Sequence, residues 1–201
     1  MTLTEDLTDP KCDRVFDGVG MVPTRSPVHF QWYLHSLNIQ RFLDGSLPTV
    51  SQMLSARPAA VFIPNYRTDW LSEADHDFIR DRYVSLADDF WVLGKTLPAG
   101  GGTFEVYHRG RYRISTLKGS DLSGTYPLTM QGATTPEDPG TFAGTLDGVP
   151  LTNQPVELCE GTHRLECAAD RRPAVVWMGP HLQRIHRIGP GDHRQLFVNW
   201  Y

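Results

Sequence analysis

Asp69, Glu73, Asp75, His76 and Asp77 fall within nine residues, in "RTDWLSEADHD". Paired carboxylates beside a histidine can relay protons or hold a cation. The same side chains also suit a first helical turn, where acidic groups meet the positive end of the helix dipole. Ser72, three residues before Asp75, has the position of an N-cap. Capping explains nearly every residue of the group, so acid–base work by 69–77 is the alternative. A second candidate is "VFDGVGMVP" at 15–23, a short apolar run followed by two glycines. A dinucleotide fingerprint needs G-x-G-x-x-G, with the last glycine packing a helix close to the strand and phosphate at that helix's N-terminus. Here Gly18 and Gly20 are followed by Pro23 in the third place, and Pro27 delays any helix further. Amides that should converge on a phosphate are dispersed, so the loop is expected only to end a strand, and no cofactor is expected.

The other reactive types are scattered. His181, His186 and His193 cluster in sequence, but no spacing matches a zinc pattern. A strand over "HLQRIHRI" would put His181 and His186 on opposite faces, so no metal site is expected. Cys12, Cys159 and Cys167 are few and odd in number. A turn at Glu160-Gly161 would not set Cys159 opposite Cys167, so free thiols are expected. There is no G-x-S-x-G elbow and no Walker-type loop. The aromatic residues carry more: Trp32, Tyr33, Tyr66, Trp70 and Trp91 in the first half, and Tyr126, Trp177, Trp200 and Tyr201 in the second. Core packing accounts for most such rings, while exposed ones stack on sugars.

The elements that must position these residues change character near residue 108. Before it, "RVFDGV" reads as a buried strand, and "VHFQWYLHSLNIQRFL" as a helix covered on most sides. Thr49 and Gln52 form a capping box for a short helix "VSQMLSA". "AAVFIPN" is a second strand, and a helix capped by Ser72 carries Phe78, Ile79 and Tyr83 on one face. "DFWVLGKTL" and "GTFEVYH" are strands around "PAGGG". This alternation predicts a βαβ-type α/β domain, 1–108, with a partly parallel sheet.

After it, "GRYRIST", "PAVVWMG", "LQRIHRI" and "QLFVNWY" are strands. Asp147-Gly148 marks one hairpin, and Glu160-Gly161 a second. "GATTPEDPGT" at 132–141 is a loop. The prediction for 109–201 is a small all-β antiparallel sandwich.

With 201 residues and a formal charge of −4, the chain offers no basic surface for nucleic acid. It has no apolar run of membrane-spanning length and no basic-then-apolar leader at its start.

Taken in order, "DRVFDGVGMVPTRSPVHFQWYLHSL", "LSARPAAVFIPNYRTDWL" and "DFIRDRYVSLADDFWVLGKTL" resemble the soluble tail of bacterial membrane glycosyltransferases of the polyprenyl-phosphate-sugar-dependent kind. These are related to protein mannosyltransferases and aminoarabinose transferases. The likeness covers about residues 12 to 107 and rests on order and texture, not on one motif. "VELCEGTHRL" at 156–165 resembles β-sandwich modules of envelope proteins. In that family the catalytic acid lies among transmembrane helices that this chain lacks, so the resemblance implies no catalytic residue here. It implies a non-catalytic extramembrane C-terminal region, periplasmic or extracytoplasmic, that contacts an acceptor glycan, covers the active site or meets a membrane-embedded partner region. Tyr66, Asp69, Trp70 and Trp177 are the expected binding residues. A free-standing glycan-binding module and a small hydrolase or transferase using Asp69–Asp77 are the alternatives.

Overall fold

The computed structural model describes residues 2–20, 22–30, 32–87, 90–117, 136–137, 142–152 and 154–179. The expected strands "LQRIHRI" and "QLFVNWY", the three clustered histidines, Tyr126, Trp200, Tyr201 and most of the loop at 132–141 lie outside these residues. The fold is mixed α/β, with one partly parallel sheet and a separate antiparallel one.

The parallel part is built on β1 (Arg14–Phe16). Val15 pairs with Pro27 of β2 (Ser26–Pro27) on one edge and with Val61 of β3 (Val61–Phe62) on the other, both parallel. All three strands therefore leave their loops at the same end. Short strands with a continuous apolar run are what a sheet covered on both faces requires. Phe16 and Phe62 stack with ring centroids 4.8 Å apart, and Tyr33 meets Phe16 edge-on. Such pairs add about 0.5–1.5 kcal/mol each beyond the area they bury.

The remaining strands are antiparallel. β5 (Phe90–Thr96) joins two regions: Val92 pairs with Val61 on one edge and with Val84 of β4 (Tyr83–Ala87) on the other. Further along, Gly94 to Thr96 pair with β13 (Pro173–Trp177), which also pairs with β7 (Gly110–Leu117). β7 takes β11 (Val156–Leu158) and β8 (Pro136–Glu137). In the second sheet β12 (Gly161–Cys167) lies between β6 (Gly101–Val106) and β9 (Gly144–Leu146), and β10 (Val149–Pro150) closes the edge. Both sheets thus contain strands from either side of residue 108.

Of the helices, α3 (Val50–Ala56) has the reciprocal Thr49–Gln52 capping box, and α4 (Glu73–Arg82) is capped by Ser72, as their sequences require. α1 (Thr2–Leu7) was not marked by any sequence signal.

Three expectations are corrected. The segment 28–43 is not one helix. Val28 still bonds Val15 as an extension of the sheet, and turns follow. Trp32 has φ +64°, and only a 3-10 turn (Ser36–Asn38) and the short α2 (Ile39–Leu43) are helical. The apolar residues at helical spacing belong to a covering loop in which Tyr33 and Leu34, adjacent in sequence, are both buried. The α4 helix stops at Arg82, because Tyr83 turns extended and begins β4 on the edge of β5. Finally, Glu160-Gly161 does not close a hairpin, since β11 and β12 lie in different sheets and the chain crosses between them there.

Candidate ligand-binding surface

Three loops leave the common end of β1, β2 and β3, the edge at which open α/β sheets place their ligands. Asp17 ends β1 and is buried. Its Oδ1 accepts the amides of Gly20 (2.7 Å) and Val19 (3.2 Å), and its Oδ2 accepts that of Val22 (2.9 Å). The N–H groups a phosphate would require are thus already taken by a side chain of the loop itself. The neighbouring Gly18 amide lies 3.1 Å from His29 Nε2.

Burial alone would raise the Asp17 pKa. The hydrogen bond to His29, the Gly20 and Val22 amides and the histidine's charge outweigh it and hold the carboxyl below its ordinary value. His29 Nδ1 stands 2.7 Å from the Phe30 carbonyl, so that nitrogen carries a proton and donates it. Its Nε2 lies 3.1 Å from Asp17 Oδ1 as well as from the Gly18 amide.

Further bonds lock the loops together. Leu34 N–H donates to Gly18 O (2.7 Å), Asn65 Nδ2 donates to Asp17 O (3.0 Å), and Arg67 Nη1 donates to Leu34 O (3.4 Å). Gly18 lies at φ +72°, and a Cβ there would stand 2.4 Å from Leu34 Cδ1, so only glycine allows this approach.

On this framework several large rings face solvent: Phe30 (49 % exposed), Trp32 (48 %), Tyr66 (59 %) and Trp70 (41 %). Tyr66 and Trp70 meet edge-on at 6.1 Å at the two ends of a 3-10 helix, Tyr66–Trp70, whose N-cap is Asn65. Arg67 extends from that helix, its Nε donating to the Tyr66 hydroxyl at 2.9 Å. Trp32 is held in its left-handed conformation by bonds to its carbonyl from His35 N–H and Asn38 Nδ2, both 3.0 Å. That conformation costs roughly 1–2 kcal/mol for a residue other than glycine, and here it holds a large aromatic ring outward.

Of the residues expected to bind, Tyr66, Asp69 and Trp70 stand together on this 3-10 helix and are exposed. Trp177 is corrected: it is 2 % exposed within β13, with its ring against His108, and offers no face to a ligand. Asp75 and His76 are structural. Asp75 accepts the Ser51 amide at the start of α3 (2.8 Å) and the Ser72 hydroxyl (3.1 Å), while His76 Nε2 is 2.8 Å from Thr68 O. Among the described residues no three His, Cys, Asp or Glu side chains gather to hold a metal ion. Cys12, Cys159 and Cys167 are free. The helical spacing of 28–43 hid Phe30 and Trp32 as surface residues, and Arg67, on the 3-10 helix Tyr66–Trp70, was not singled out by its sequence. The one available signal was "PNYRTDW", a dense polar-aromatic string directly after a buried strand.

Compared with known proteins, the chain matches no family model, no curated protein and no solved structure. No helix among the described residues is long and apolar enough to cross a membrane.

Proposed function

We propose that this chain is the non-catalytic extramembrane region of a polyprenyl-phosphate-sugar-dependent membrane glycosyltransferase, and that its aromatic surface contacts a glycan. The observation that carries the proposal is the set of four exposed rings on loops tied to one another at the end of the parallel strands. Single exposed aromatics are ordinary, but several on one braced loop system are an arrangement suited to stacking on pyranose faces. Preformed loops also lower the ordering cost of binding. The extracytoplasmic location and the membrane-embedded partner follow from the family resemblance of residues 12–107.

Titration of intrinsic tryptophan fluorescence with a panel of oligosaccharides tests the glycan contact. A saturable change is expected, weakened about tenfold by Trp70→Ala or Tyr66→Ala, the size of one lost stacking contact. Trp177→Phe is expected to leave affinity unchanged. Absence of any saturable response across the panel removes the glycan contact.

A further inference from the structure

We infer that Arg67 makes this surface selective for a saccharide carrying an anionic group, a uronate carboxylate or a phosphate ester. The inference rests on the glycan contact proposed above. Arg67 is half-buried, and its guanidinium is oriented by two neutral acceptors, the Tyr66 hydroxyl at Nε and the Leu34 carbonyl at Nη1. Among the described residues no carboxylate lies within ion-pair distance of it. Arg80 meets Glu73 and Asp77, Lys95 meets Asp81, and Arg164 meets Glu166, while Arg67, like Arg25, Arg41 and Arg82, shows no ion pair among the described residues. The two bonds fix the plane of the guanidinium, and among the described residues Nη2 has no acceptor. An arginine held in place and partly desolvated, with no carboxylate at ion-pair distance among the described residues, is a group suited to meet a planar or tetrahedral anion through paired N–H donors. The guanidinium lies 5.3 Å from the centroid of the Tyr66 ring, and that ring meets Trp70 edge-on at 6.1 Å, so an acidic substituent on a sugar stacked on Trp70 would be within reach of Arg67.

The test is a set of titrations of the full chain by tryptophan fluorescence. The ligands are a neutral glucose oligomer, a glucuronate-containing oligomer of equal length and a sugar phosphate. At least one acidic ligand is expected to bind about tenfold more tightly than the neutral one, the size of a charge-assisted hydrogen-bond pair. That preference should shrink as salt is raised. Which acidic ligand prevails distinguishes carboxylate from phosphate. Arg67→Met removes the bracing bonds as well as the charge, so it is read by the ratio of acidic to neutral affinity, which should fall to one whatever happens to the neutral oligomer's own affinity. Arg67→Lys should retain only part of it, since the fork is lost. Equal affinity for neutral and acidic ligands overturns the inference and leaves the glycan contact standing. Arg67→Met weakening all ligands alike also overturns it, because the side chain would then only brace the loop. Binding of none of the ligands overturns both.

Discussion

At the scale of single residues, the most consequential group is Asp17. It serves three backbone amides and a histidine from a buried position, and each of its oxygens is used. Asp17→Asn puts an amide NH2 where one oxygen accepted, leaving a donor facing a donor. A loss of about 1–3 kcal/mol in urea unfolding is expected. A second residue-scale prediction concerns the turn at Asp147. His163 Nδ1 lies 2.7 Å from Asp147 Oδ2, and its Nε2 lies 2.9 Å from Cys159 O, so both ring nitrogens face acceptors. Burial would lower the pKa of His163, but the bond to Asp147 and the Cys159 carbonyl outweigh it and raise it. Burial would raise that of Asp147, but His163 and the Arg164 amide bring it down. The histidine's contribution is complete below about pH 6.5 and fades as pH rises through its folded value. The aspartate's is complete above about pH 4 and fades as pH falls through its folded value. An NMR titration should therefore show His163 titrating above the ordinary histidine value, and Asp147→Asn should bring it down.

At the scale of elements, local rules were readable where local chemistry decides. The Thr49–Gln52 box and the Ser72 cap appear where their side chains require, and Asp147-Gly148 makes its hairpin. Reading failed where a distant partner decides. Tyr83 to Ala87 continue a helical pattern in sequence, yet the free edge of β5 draws them into a strand. Residues 28–43 have helical spacing, but anchoring of Val28 to Val15 and the turn at Trp32 leave room only for a covering loop. The candidate site was half legible for the same reason: Tyr66 and Trp70 sit on a local 3-10 turn, whereas Phe30 and Trp32 are exposed only because that loop forms. One element-level contact is tight. A Cβ at Gly94 would lie 2.4 Å from the Val175 carbonyl across the β5–β13 pair. Gly94→Ala should cost roughly 1–3 kcal/mol as the strands are forced apart, measurable as a lowered Tm.

At the scale of the molecule, the change of sequence character at residue 108 marks a change in element type, while the sheets run across it. β6 finds its six paired residues in β12, and the second half of β5 finds its partner in β13. Sequence patterns within each half cannot show this, because strand pairing across about 55 to 82 residues depends on topology and not on local composition. A fragment of residues 1–108 would leave β6 without β12 and the end of β5 without β13. It is expected to show no cooperative thermal transition by circular dichroism, whereas the full chain shows one.

The Asp17 loop has a further meaning as a receptor that carries its own ligand. A carboxylate tethered within the loop and already oriented on these amides avoids the ordering and association cost that a dissolved anion would meet. Added phosphate or nucleotide should therefore not displace Asp17 from the amides of Val19, Gly20 and Val22, and an anion that binds must be met at the rim of the loops.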